Sequence, residues 1–219
     1  MRRNDEVGLF QLSLTDKESL VLIRIYLLTI LLTPNLYANA IKVDLNLKPQ
    51  GAWSNDETKL VQFAAEEAFR RMAKAEVANC AYRYASKEDK NKLRKSWGNQ
   101  IPVINKSRNV KLTIVKKELR KNVLGQAMVG SASVDRNRYA IDNLTIDLST
   151  DRIHNHLKTK EKIDDHDIWI NVVAHEVAHT LGYRHGSGRS WSEDYPGYFV
   201  TEIGYCAMHN GEQGSSKKF

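Results

Sequence analysis

The chain has 219 residues, 42% hydrophobic and 27% charged, a balance that suits one globular domain with a sizeable core. Gly 12 and Pro 4 are too few for a collagen-like or low-complexity chain, and no uninterrupted apolar run reaches the about 18 residues of a membrane span. The formal net charge of +7 is too modest to argue by itself for a nucleic-acid or anionic-surface partner.

Residues 25–33 (IYLLTILLT) form a short apolar run that follows Arg24 and precedes Pro34 and Ala38-Asn39-Ala40. A positive charge, an apolar stretch of about 7–15 residues and an A-x-A site are the parts of a secretory signal peptide. The expectation is a signal peptide or N-terminal anchor over 1–40, then one domain over 41–219 that is secreted or periplasmic. The lead before the apolar run is long for a signal peptide and carries Asp5, Glu6, Asp16 and Glu18. Membrane contact is expected only if this segment stays uncleaved.

Residues 41–47 alternate with period two, as a half-buried strand does. Ser54 stands three residues before Glu57, a capping-box signature. The stripe Val61, Ala65, Phe69, Ala73, Val77, Cys80 and Tyr84 then predicts one helix of about thirty residues. Residues 87–121 hold twelve basic and three acidic side chains, which reads as a solvated face because no stacking or groove-binding motif accompanies them. No specific nucleic-acid partner is expected.

Strands are predicted at 110–115 and 139–148, and the small, alternating stretch 125–134 (GQAMVGSASV) reads as an exposed edge strand. Asn105 and Asn143 begin glycosylation sequons. His154-Asn155-His156 reads as a polar loop after a strand, with a second metal site on one strand face as the alternative. Asp164 or Asp165 caps a second helix through Ile168, Trp169, Val172, Val173, Ala174 and Val177, with His166 as a capping or surface residue. Beyond Gly182 the glycines at 186, 188, 197 and 204 predict a loop-rich part. The four tryptophans, Trp53, Trp97, Trp169 and Trp191, read as packing residues. Cys80 and Cys206 permit one disulfide in an exported chain, and two buried free thiols are the equal alternative.

Chemistry concentrates in the second helix, at His175-Glu-Val-Ala-His179-Thr-Leu-Gly-Tyr-Arg-His185. His175 and His179, at i and i+4, project from one helix face about 6 Å apart at Cβ and can converge on one zinc ion. A continuing helix would carry His185 about 240° around from His179, so the helix must stop between them. Gly182 is the residue best able to adopt the left-handed cap that does this. Three neutral imidazoles leave a fourth tetrahedral position open, the catalytic rather than the structural arrangement. Glu176 lies about 100° from His175, beside that position, where a carboxylate accepts a proton from water.

H-E-x-x-H-x-x-G-x-x-H resembles the extended zinc signature of the metzincin metalloendopeptidases, and Tyr205-Cys206-Ala207-Met208 is similar to their Met-turn. The resemblance is close over residues 175–208. It implies an α+β, zincin/metzincin-like fold: a twisted mixed β-sheet with two long helices above a loop-rich lower subdomain that contains the Met-turn. It implies one catalytic Zn2+ held by His175, His179 and His185, Glu176 as general base and acid, and Met208 beneath the metal. A protein or peptide substrate would lie extended in the cleft along the edge strand 125–134, with loop 186–204 shaping the pocket beyond the scissile bond.

Asn210 stands two residues after Met208, where astacin-like and serralysin-like members carry a tyrosine, so Tyr195, Tyr198 and Tyr205 are the candidate substitutes. His209 is a candidate cleft residue. Residues 164–212 carry eight acidic and two basic side chains, from which a cleft that attracts cationic substrate segments is expected. The expected function is a secreted, monomeric zinc endopeptidase. The alternatives are a non-catalytic, zinc-stabilised binding protein on the same scaffold and a basic-surface binding protein in which zinc is incidental.

Overall fold

A computed structural model of the chain describes residues 41–84, 97, 99–100, 103–104, 106–107, 109–158, 165–185 and 199–212. The chain divides into two units, Met1–Asn39 and Ala40–Phe219, and all described residues belong to the second. The expected signal peptide, loop 186–198, Asp164, Tyr195 and Tyr198 lie outside the described residues. No described helix is long and apolar enough to cross a membrane.

The predicted strands form where the period-two pattern places them. β1 (Lys42–Lys48) pairs in parallel with β2 (Asn109–Lys116), and β2 in parallel with β5 (Ala140–Leu148). Leu144, Ile146 and Leu148 of β5 turn into the core while Asn143 and Thr145 face out, as expected of a sheet with one covered face. β3 (Gly125–Ala127) and β4 (Ser133–Asp135) both pair antiparallel with the far side of β5 and complete a mixed sheet.

The predicted continuous edge strand 125–134 is therefore two short strands. Residues 128–132 leave the ladder opposite Asn143, Leu144 and Thr145 because their amides are needed elsewhere: Gly130 N–H donates to His179 O and Ala132 N–H to Thr180 O, each at 2.9 Å. Those carbonyls belong to the last turn of a helix, where no intrahelical donor remains for them. On β5 the same stretch holds a bulge, with Asn143 at φ 60°, a conformation that asparagine tolerates.

The long helix predicted from Ser54 starts as expected. In α1 (Asn55–Met72) the Ser54 hydroxyl accepts from Glu57 N–H, and the Glu57 carboxylate accepts from Ser54 N–H. It does not run thirty residues. It stops at Ala73, and α2 (Ala75–Tyr84) begins a new axis. No glycine or proline marks the break, which is tertiary in origin: Arg71 and Lys74 at the junction reach the end of α5 (Phe199–Met208), and Cys80 bonds Cys206 within it.

That last helix also corrects the expectation of loop around Met208. Val200, Ile203, Cys206 and Ala207 supply a buried face, and Gly204 lets α5 approach α4 (Asp165–Thr180), since a Cβ there would lie 2.5 Å from Asn171 Oδ1. The helix ends at a left-handed Asn210, where Gly211 N–H returns to Cys206 O and Asn210 N–H to Ala207 O. The Arg71 guanidinium adds a second donor to the Ala207 carbonyl at 3.0 Å and caps that of Met208 at 2.7 Å.

The His154–His156 segment is likewise helical, in α3 (Thr150–Lys158). Among the described residues the group that could hold a metal does not include His154. The His154 ring instead lies edge-on to Trp169 at 5.9 Å. The described residues thus place α1, α4 and α5 around one core with the sheet, and Trp169, Val173, Ala174 and Val177 of α4 lie at its centre with no exposure.

The disulfide joins residues 126 apart in sequence, a closure worth about 5 kcal/mol in the chain-entropy account. Replacing both Cys80 and Cys206 by Ser is expected to lower the unfolding free energy by about 2–5 kcal/mol in urea at pH 7. A loss below about 0.5 kcal/mol would show that the bridge does not hold α2 to α5.

Burial pulls the Glu57 carboxyl upward, but the Lys116 ammonium at 2.8 Å and the two Ser54 donors outweigh it and hold it down to about 2. A folded pKa below the unfolded value of about 4.3 stabilises the fold above that pH and loses its effect as pH falls toward 2. Glu57→Gln is therefore expected to cost about 1 kcal/mol at pH 7 and progressively less down to pH 3, measured by urea unfolding at each pH.

Candidate metal centre

α4 is apolar nearly all round because it is covered on most sides, by the sheet, α1 and α5. Its C-terminal half exposes little except the imidazole edges. His175 and His179, one turn apart, have ring centroids 4.9 Å apart. The helix then ends as the spacing requires. Gly182 takes φ 104°, its N–H returns to His179 O at 2.9 Å, and Tyr183 N–H reaches back to Ala178 O at 3.1 Å. These two bonds are a Schellman cap. A Cβ on Gly182 would touch nothing within 4 Å, so glycine is required there by backbone conformation alone.

The reversed chain brings His185 back over the helix. Its ring centroid is 5.0 Å from that of His175 and 4.8 Å from that of His179. One ligand atom from each of the three imidazoles lies within 4.8 Å of the others. The Nε2 atoms of His179 and His185 are 3.1 Å apart, close to the about 3.3 Å that two nitrogens at 2.0–2.1 Å from a tetrahedral metal subtend.

The cap also orients a ligand. His179 Nδ1 lies 2.7 Å from Tyr183 O, and since a carbonyl only accepts, Nδ1 carries the proton and Nε2 presents its lone pair. Tyr183 is pinned in turn. Its ring packs edge-on against Trp97 at 5.2 Å, and its hydroxyl donates to Gln100 Oε1 at 3.0 Å. The same Gln100 donates through Nε2 to Leu181 O.

Electrostatics favour neutral imidazoles. Burial holds His175 well below the ordinary histidine range, with His179 and His185 adding to the effect. Burial lowers His179 against the opposing pull of the Tyr183 carbonyl, and burial with His179 lowers His185. All three therefore offer lone pairs at neutral pH.

Glu176 is 5% exposed and lies against Gly125 at the start of β3. Its Oε2 has no hydrogen-bond partner among the described residues. Burial, with the Asp147 charge as a second cause, pushes its carboxyl up to about 8. Three neutral imidazoles whose ligand atoms lie within 4.8 Å of one another fit a cation. His175, His179 and His185 can hold a metal ion.

Other candidate residues fall elsewhere. Met208 is buried at the end of α5, where its sulfur accepts from Asn171 Nδ2 at 3.8 Å, one turn before His175 on α4. His209 lines a cavity of about 370 Å³ with Arg71, Asp167, Met208, Asn210 and Glu212. His166 meets the Phe63 ring edge-on at 5.0 Å. Tyr205 is half-buried on α5, and burial with the Glu202 charge keeps its phenol protonated above the usual range.

Two participants escape a reading of the sequence. The Tyr183 carbonyl had a local signal, since the residue after a capping glycine returns its backbone onto the helix. Gly125 had none, because its neighbour Glu176 is 51 positions away in the chain. Comparison of the chain with family models, with curated proteins and with solved structures gave no match.

Gly182→Ala is expected to weaken metal binding by about 10–100-fold, because it strains the turn that carries both His185 and the carbonyl orienting His179. Competition with a chromophoric chelator measures this. Unchanged affinity would show that the left-handed turn is not what assembles the ligands.

Proposed function

We propose that this chain is an exported zinc endopeptidase on a metzincin-like scaffold. The observation that carries the reading is the convergence of three imidazole nitrogens within 4.8 Å, with the buried carboxyl of Glu176 on the residue that follows His175. A three-histidine donor set suits zinc and leaves one tetrahedral position open, as a hydrolytic site needs. Zinc bound there supplies Lewis acidity, lowering the pKa of a water to about 7 and polarising the scissile carbonyl.

The rest is done by the chain. Glu176 takes the proton of the attacking water and returns it to the leaving amine, so that the water oxygen joins the carbonyl carbon as the C–N bond breaks. Burial raises the proton affinity of this carboxyl, and its Oε2 has no partner among the described residues. The Tyr183 carbonyl keeps His179 in the tautomer that presents Nε2. β3, at the edge of the sheet and against Glu176, offers its backbone to an extended peptide. The mixed sheet with its antiparallel edge and the two long helices α1 and α4 support the scaffold reading. The Arg24-to-Ala40 pattern and the Cys80–Cys206 bridge support export into an oxidising compartment.

Elemental analysis of the full chain is expected to find one zinc, and a mixed peptide library to be cut internally in a manner that chelator abolishes and zinc restores. Glu176→Gln is expected to keep the zinc and to lose about 10²–10⁴-fold in turnover. A folded, zinc-supplied protein without zinc, or a fully active Glu176→Gln variant, would overturn the reading.

A further inference from the structure

β3 opens on a glycine that its backbone does not require. Gly125 is absent from the positive-φ glycines and sits in ordinary strand conformation, paired with Leu148 of β5. Glycine in a strand gives up side-chain packing and loses more backbone entropy on folding than any other residue. Space is what demands it. A Cβ at position 125 would lie 2.7 Å from Glu176 Cγ, 2.8 Å from Oε1 and 3.0 Å from Cδ.

All three atoms belong to one side chain. The strand cannot move away, because its ladder to β5 fixes residues 125–127. Nor can the helix, whose buried face is packed against the sheet, α1 and α5 and whose end is tied by Gly130 and Ala132. A methyl group at 125 therefore acts on the Glu176 rotamer and on little else. Gly182 is the opposite case, with open space around it and a backbone that only glycine adopts easily.

We propose that Gly125 is a positioning residue for Glu176: the missing side chain on the edge strand is the slot in which the carboxylate is seated beside the metal ligands. The proposal rests on the reading of Glu176 as general base. It assigns to the first residue of the edge strand a task separate from any pairing with substrate.

The test is Gly125→Ala in the full chain, alone and combined with Glu176→Ala. The single variant is expected to bind one zinc with unchanged affinity and to keep KM within about threefold, while kcat falls about 10–100-fold because the base leaves its productive position. The pair supplies a readout that needs no activity. With Glu176 cut to alanine the Cγ, Cδ and Oε1 contacts vanish, so Gly125→Ala should raise the urea midpoint more in that background than in the wild type. Equal effects in both backgrounds, or a single variant with wild-type kcat, would overturn the positioning role. Wild-type protein that binds zinc without turnover would overturn the catalytic reading, and the stability cycle would still decide whether Gly125 seats Glu176.

Discussion

The site depends on one event, the termination of α4 just after His179 and the reversal of the chain at Gly182. A helix continuing through Gly182 would carry His185 to the wrong side, and no rearrangement of side chains would recover it. Once the chain turns left-handed at Gly182, several consequences arise from backbone geometry. Tyr183 O falls on His179 Nδ1, His185 returns over the ring edges, and the last carbonyls of the helix, that of His179 already accepting from Gly182, are open to further donors. Two of those carbonyls are met by Gly130 and Ala132, which leave the edge strand to do so. The break in the sheet edge and the end of the helix are thus one hydrogen-bonding problem with one solution.

The opposite flank of α4 is held by a different device. α5 ends in a second left-handed cap, at Asn210, and Arg71 and Lys74 reach it from the α1–α2 junction. The Cys80–Cys206 bridge ties the middle of α2 to the same helix. Gly204 removes the Cβ that would hold α5 away from Asn171 and His175. Helix–helix approach set by a small residue and then fixed by a covalent link keeps the first ligand's segment of backbone in place without using any group near the imidazole edges.

What the sequence disclosed was whatever is local. The spacing of His175, His179, Gly182 and His185 encodes its own geometry, since helix periodicity and one glycine suffice to derive it. β1, β2 and β5 were legible because alternation reports a sheet with one covered face. The capping box at Ser54 and Glu57 was legible within four residues. Most of the errors involve partners far away in the chain. Nothing in the sequence around Ala73 breaks a helix, and the cause lies at Ala207, Met208 and Asn210. The stretch 128–132 alternates well enough to be a strand and is drawn out by carbonyls some fifty positions on. Gly204 reads as a loop residue until the helix it must approach is known. His154 and His156 read as a loop pair because polar residues after a strand do not specify the next element.

The polar groups of the centre are unfavourable one by one and consistent as a set. Three imidazoles with ligand atoms within 4.8 Å of one another disfavour each other's protonation, and a buried carboxyl oxygen without a donor disfavours its own ionisation. A sequence selected for stability alone would replace Glu176 with an apolar residue and would place a β-branched one at Gly125. A cation held by the three imidazoles would offset these terms, because nitrogens 3.1 Å apart would converge on a positive charge. The strand glycine would then have a physical reason as well, since its missing side chain leaves the space that Glu176 Cγ, Cδ and Oε1 occupy. Local cost at Gly125, Glu176 and Gly182 would then be offset by the order that a cation held by the three imidazoles brings.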